Sequence, residues 1–349
     1  MEPELVDSVT TLRSFLEGLP RQSSRPDLYV DLEGNDLCRQ GTLSLVTLFV
    51  ESKGTVHLVD VTTLKERAFS TTDSSGQSLR TILQAGDITK VFFDIRNDSD
   101  ALFSHYGIAV QGIEDVQLME IMTRSGSKRL VNGLARCIES NPDIEFQKRR
   151  AWSLVKERGQ RLFRSSSDGY AIFDRRPLSA EVLEYCVQDV TFLPKLRDSY
   201  RAKLCDASWR KIQEETLARI ALSQGPSYNG KGRHMALAPA GWQSWNPTLA
   251  ERREQSFLDE EEAVVGDDTR PTPSANESGS PGSGHEITSL SDELHRATFR
   301  TPSPELEVDD DWDTCHGGYS DGHRSSSEES ARDFTACDIE CGYCGQCMY

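Results

Sequence analysis

The sequence predicts an α/β fold, a mixed five-stranded sheet flanked by helices, followed by an acidic tail that does not fold. Three observations predict it. Three short apolar runs joined by tight links come first, strand-like runs then alternate with helical patterns, and residues 130–222 show helical periodicity alone. Beyond Glu251, Gly, Ser, Pro, Asp and Glu dominate, and such a composition buries too little apolar surface to offset the entropy of ordering the chain.

Taken in order, Leu5, Val9, Leu12, Leu16 and Leu19 recur at the spacing of an amphipathic helix that Gly18 and Pro20 end. Residues 28–34, 43–50 and 56–61 read as strands, with Glu51-Ser-Lys-Gly54 as a hairpin turn, so the three form an antiparallel meander. Residues 79–84 look helical, 90–95 form a short buried strand, and 98–106 form a helix closed by Gly107. A fifth strand is expected around Val116-Gln-Leu-Met119. The predicted organisation is a catalytic domain over 1–235 with an N-terminal helix and a helical C-terminal extension, a disordered acidic linker over 236–335, and a Cys-rich tail over 336–349.

Charge follows the same division. The net charge of −17 is the sum of −6 over residues 1–100, +6 over 101–235, zero over 236–250 and −17 over 251–349. The acidity therefore belongs to the tail and does not argue against a polyanionic substrate for the head. No apolar run approaches the roughly 18 residues of a membrane span, and the start lacks the basic and apolar regions of a signal peptide. The expectation is an intracellular protein, cytoplasmic or nuclear, with no membrane association. Its nine cysteines then read as free thiols or metal ligands rather than disulfides.

Asp31 and Glu33, two apart on the first strand, project from one face while Val30 and Leu32 point to the other. Two neighbouring acids repel unless a cation lies between them, but for such a pair taken alone a solvated strand face is the plainer reading. Asp98 follows the short strand at 90–95 at the start of a helix, where an acid ordinarily serves as an N-cap. A cap needs one acid, and Asp94, Asp98 and Asp100 cluster here, which leaves the ligand open among them. Arg176-Pro-Leu-Ser179 opens another helix, with Ser179 as cap and Val182, Cys186, Val190 and Leu193 as its buried stripe. Tyr185 and Asp189 stack one turn apart beside that stripe.

Together these motifs resemble those of the DEDDy group of 3′-to-5′ exonucleases, which includes ribonuclease D and the Werner-syndrome exonuclease domain. The residues are Val30-Asp-Leu-Glu-Gly34, Asp98 between a strand and a helix, and Tyr185-x-x-x-Asp189 behind Arg-Pro-Leu-Ser. The resemblance covers residues 5–200. It implies a ribonuclease H-like fold and places the acid of the second motif at Asp98. It further implies that Asp31, Glu33, Asp98 and Asp189 hold two Mg²⁺ or Mn²⁺ ions while Tyr185 orients the attacking water. The chemistry suits that ligand set, because four carboxylates are hard donors whose charge two dications balance. The ions neutralise the phosphodiester, deprotonate water and stabilise the departing 3′ oxygen.

The segment 148–176 holds nine Lys or Arg against three acids, interleaved with Trp152, Phe163, Tyr170 and Phe173. Basic side chains attract phosphates and aromatic rings stack on unpaired bases, so Lys148, Arg149, Arg150 and Arg176 are candidate nucleic-acid contacts; a solvated basic helix is the plain alternative. The expected substrate is a single-stranded nucleic acid with a free 3′ end, RNA before DNA on resemblance alone. An adaptor that keeps the fold without hydrolysis is the rival reading, and the acidic tail invites protein partners. Cys337, Cys341, Cys344 and Cys347 set four thiols close together and are candidates for a Zn²⁺ site. Oligomeric state is not legible.

Overall fold

Strand β1 (Glu4–Val6) is where the chain first takes regular structure in the computed structural model, which describes residues 2–19, 27–165, 169–246 and 248. The first correction lies here. Val6 closes a short strand paired in parallel with β4 (Thr55–Asp60), and helix α1 (Val9–Glu17) starts only after it, capped by Ser8. Leu12, Phe15 and Leu16 are its buried face, so the expected stripe is real but Leu5 is not on it.

Strands β2 (Leu28–Glu33), β3 (Leu45–Val50) and β4 form the antiparallel meander. The link between β3 and β4 is the turn expected, a single 3-10 turn over Glu51–Lys53 closed by Gly54 at φ 63°, a conformation that glycine adopts without a Cβ penalty. Two short helices, α2 (Val61–Leu64) and α3 (Arg67–Ser70), and a longer one, α4 (Leu79–Gln84), lead to β5 (Lys90–Phe92), which adds to β2 in parallel. Helix α5 (Arg96–Tyr106) crosses to β6 (Ile113–Asp115), parallel to β5. Among the described residues the sheet therefore has six strands, in the order β1-β4-β3-β2-β5-β6, rather than five.

The expected strand at Val116–Met119 is instead the start of α6 (Val116–Thr123), nearly all of it buried. A short apolar run carries no periodicity that separates a buried strand from a buried helix. Asp115 decides the local outcome: its carboxylate accepts from the Gln117 N–H at 3.0 Å and caps the helix. The helical remainder comprises α7 (Leu134–Ser140), α8 (Phe146–Ser165), α9 (Ala180–Thr191), α10 (Leu193–Arg201) and α11 (Asp206–Gln224).

Two apolar layers sandwich the sheet. On one face Tyr29 and Leu45 meet α6, α8, α9 and α10 through Leu118, Phe163, Tyr185 and Leu196. On the other, Val30 and Leu32 meet α1 and α5 through Leu12 and Leu102. The pleat of β2 thus sends alternate residues into different layers, and Asp31 and Glu33 go with Tyr29 toward α9. No helix among the described residues is long and apolar enough to cross a membrane. Of the expected linker, residues 236–246 and 248 are described: Leu237 bridges to Leu130 and Trp242 is buried in the first apolar layer. The remainder of it and the four tail cysteines lie outside the described residues.

Candidate active site

Helix α9 supplies the third acid. Ser179 caps it, its hydroxyl accepting from the Val182 N–H at 3.4 Å, and the helix packs across β2 and β3 with Val182, Tyr185, Cys186 and Asp189 buried. Asp189 consequently arrives above the acidic face of β2. One carboxylate oxygen from each of Asp31, Glu33 and Asp189 lies within 4.8 Å of the others. Asp31 is half-buried, Glu33 and Asp189 are buried.

Burial sets the electrostatics of this trio, and mutual repulsion adds to it. Burial, then the charges of Asp189, Glu33 and Asp98, hold Asp31 well above the ordinary carboxylate range. Glu33 is raised well above it by burial and Asp189. Asp189 is raised by burial too, against the opposing pull of Lys156. Cys186 sits behind the cluster, and burial followed by the charges of Glu33, Asp189 and Asp31 pushes its thiol up, so it is no nucleophile.

Asp98 stands beside the trio without belonging to it. It occupies the first turn of α5, whose N-cap is Ile95, so the capping role expected for it is not what it does. Just before the helix, Asp115 accepts from the N–H groups of Asp94 at 3.0 Å and Ile95 at 3.4 Å. Asp98 is buried with Oδ1 lacking any hydrogen-bond partner. Burial, then the charge of Asp94, raises its pKa well above the usual value.

The other two acids of this segment are committed elsewhere. Asp94 accepts from Arg96 Nε at 2.6 Å and Nη2 at 2.5 Å and lies 3.4 Å from Arg219. Asp100 accepts from Arg39 Nε and from the Arg39 backbone N–H, each at 2.7 Å. Of the three acids that sequence left open, only Asp98 has a carboxylate oxygen to offer.

A buried cation also enters the cluster. Lys156 Nζ, on α8, donates to both oxygens of Asp189, at 2.6 and 2.8 Å, and lies 3.3 Å from the centroid of the Tyr185 ring. Tyr185 is fully buried, its ring edge-on to Phe163 at 4.8 Å. Sequence reasoning counted Lys156 only as one charge in a basic segment. The signal that identifies it is spacing: Trp152, Lys156, Gly159 and Phe163 are all buried and recur at helical intervals on one side of α8. Trp152, Phe163 and Phe173 are therefore core residues, not platforms for unpaired bases.

The four candidate nucleic-acid contacts separate. Lys148 and Arg150 are exposed on α8, the former 2.9 Å from Glu145. Arg149 donates to the Glu139 carbonyl at 2.5 Å. Arg176 is instead a clasp: its Nε and Nη2 each lie 2.6 Å from an oxygen of the buried Asp60 at the end of β4.

The oxygen donors fit a divalent cation. They are hard carboxylates, and Asp98 adds an unpartnered buried oxygen, a group whose burial is costly unless a cation meets it.

Comparison with known proteins gives the family and the fold. Residues 3–204 match the family model described as 3′-5′ exonuclease. Among curated proteins, the chain is 28% identical over 179 residues to piRNA biogenesis protein EXD1 of Mus musculus, and 29% identical over 173 residues to that of Homo sapiens. Each alignment takes in 49% of this chain but only 28% and 31% of those relatives, so the chain spans about three tenths of their length. Among solved structures, Trypanosoma brucei RNase D bound to GMP superposes with a TM-score of 0.55 at 21% identity, over 70% of this chain and 71% of that one. The same enzyme with RNA U12 gives 0.53, over 69% and 77%. These likenesses show a shared fold. The chain belongs to the 3′-5′ exonuclease family.

Proposed function

We propose that this protein is a metal-dependent exonuclease that removes nucleotides from the 3′ end of a single-stranded nucleic acid, RNA in preference to DNA. The observation that carries the reading is the convergence of Asp31, Glu33 and Asp189 beside the unpartnered oxygen of Asp98. Those four side chains would hold Mg²⁺ or Mn²⁺, two ions in the full complement. When bound, the ions neutralise the phosphodiester and activate water.

The protein's own contribution is placement. Asp31 and Glu33 are fixed by the register of β2 against β3, opposite Thr47 and Leu45, and Asp189 by the packing of α9. Tyr185, one turn before Asp189, is assigned the orientation of the attacking water through its hydroxyl. The exposed Lys148 and Arg150 would steer the phosphate backbone. The preference for RNA is supported by the RNA in the RNase D neighbour and by the names of the curated relatives.

The deciding experiment incubates the full chain with 3′-labelled and 5′-labelled single-stranded RNA and DNA in Mg²⁺, Mn²⁺ or EDTA. A ladder shortened from the 3′ end, lost in EDTA and in Asp31→Ala and Asp189→Ala, is expected. One observation favours a second reading, a nucleic-acid-binding adaptor without hydrolysis: Asp189 already has a cation in Lys156. Retained binding with no ladder in any metal would select it.

A further inference from the structure

Lys156 has no place in the proposed exonuclease chemistry, yet the fold goes to some length to keep it where it is. Its side chain is 8% exposed, and both oxygens of Asp189 accept from its ammonium. Burying an ammonium forfeits hydration and rotamer freedom, so a lysine in this setting stays only because a carboxylate compensates it. Helix α8 is pinned on either side of it. One turn before, the Trp152 indole N–H donates to the Gln188 carbonyl at 3.0 Å. One turn after, Gly159 lies so close to α9 that a Cβ there would come within 2.3 Å of Tyr185 Cδ2.

We propose that Lys156 is an internal cation of the acid cluster, holding Asp189 in the metal-free protein, and that it withdraws before the cluster takes its full complement of divalent metal. This rests on reading the cluster as a metal site. Charge supports it. The four acids carry four negative charges, which two dications match; with the Lys156 ammonium in place the set is reduced to three, and two dications over-neutralise it. Geometry supports it as well. A Mg²⁺ ligated at about 2.1 Å from an Asp189 oxygen competes for oxygens that already accept from Nζ at 2.6 and 2.8 Å, and like charges that close in a buried site repel strongly. Withdrawal is within reach of the side chain, since its four-carbon stem is flexible.

The test is Mn²⁺ binding to the full chain by electron paramagnetic resonance, comparing the parent with Lys156→Met and Lys156→Gln; Asp31→Asn assigns the signal to this cluster. Removing the ammonium should tighten Mn²⁺ binding by about tenfold or more. In the parent protein, Mn²⁺ should also uncover Lys156 to acetylation, read by mass spectrometry against the exposed Lys148. Unchanged or weaker Mn²⁺ binding in both variants overturns the proposal while leaving the metal site intact, as does Lys156 labelling that Mn²⁺ fails to raise. No Mn²⁺ binding by parent or variants overturns the metal-site reading and this proposal with it. Should neither variant fold, the labelling of the parent decides.

Discussion

Asp98 concentrates the conflict between folding and function in one side chain. On the proposed function, a buried carboxylate with an unpartnered oxygen is kept for the metal it would hold, not because it stabilises the metal-free fold. Asp98→Asn keeps the shape and removes the charge. Cleavage should fall about a thousandfold, or ~4 kcal/mol of transition-state stabilisation, while thermal unfolding in EDTA shows equal or greater stability, by about 1 kcal/mol. The four acids together make the same point through pH. Asp31, Glu33, Asp98 and Asp189 all have raised pKa values in the folded protein, so the folded state binds protons that the unfolded chain releases. Their stabilising contribution is complete below the ordinary carboxylate range and drains away as pH rises through the raised values. In EDTA the melting temperature should therefore drop as pH rises above the ordinary carboxylate range, and saturating Mn²⁺ should cancel the drop. A melting temperature that rises with pH above that range in EDTA would contradict it.

Helices α8 and α9 and the clasp at β4 show how close packing assigns roles that charge alone does not. Gly159→Ala replaces a poor helix former by the best one, a gain of about 1 kcal/mol in an open helix. Here the new methyl would lie 2.3 Å from the Tyr185 ring, and overpacking costs about 1 to 3 kcal/mol. Net destabilisation by urea unfolding is expected, with lower exonuclease activity because Tyr185 and Asp189 share the displaced helix. Arg176 and Arg150 make a paired test. Burial would raise Asp60, but hydrogen bonds from Arg176 and Thr63 and the Arg176 charge hold it below the ordinary range. Arg176→Ala strands a buried carboxylate and should cost about 3 kcal/mol, with little change in nucleic-acid affinity under native conditions. Arg150→Ala should leave stability alone and reduce the salt dependence of binding by about one counterion. The exchange of these two phenotypes, read by fluorescence anisotropy and unfolding, would reverse the assignment.

The charge division of the chain bears on how it meets a polyanion. Residues 1–250 are neutral overall and 251–349 carry all of the net −17. Such a segment competes with nucleic acid for basic side chains or repels it, through interactions that fade beyond a Debye length of about 10 Å at 0.1 M salt. Deleting 251–349 should strengthen binding to single-stranded RNA several-fold at low salt and make no difference near 1 M; equal affinities at low salt would show that the tail charge does not reach the site. Among the described residues, ties run from α11 and its end. Arg219 bridges Asp115 at 2.8 Å and Asp94 at 3.4 Å, and the Ser223 and Gly225 carbonyls accept from Arg39 Nη2 at 2.7 and 2.8 Å. These partners are more than a hundred residues apart in the chain, so no local pattern announces them.

Period and capping chemistry were enough to reveal the meander, the acidic face of β2, the Ser179 cap and the Tyr185–Asp189 turn, because alternation and helical spacing are local properties of neighbouring residues. They did not reveal that 116–123 is helix, that Glu4–Val6 pairs with β4, or which acid among Asp94, Asp98 and Asp100 remains available. Each of those depends on partners brought in from elsewhere: Asp115 as a cap, β4 as a parallel neighbour, Arg39, Arg96 and Arg219 as counter-ions. Lys156 is the sharpest instance. Its charge is written in the chain, but its burial against Asp189 follows from the approach of two helices that a single glycine permits.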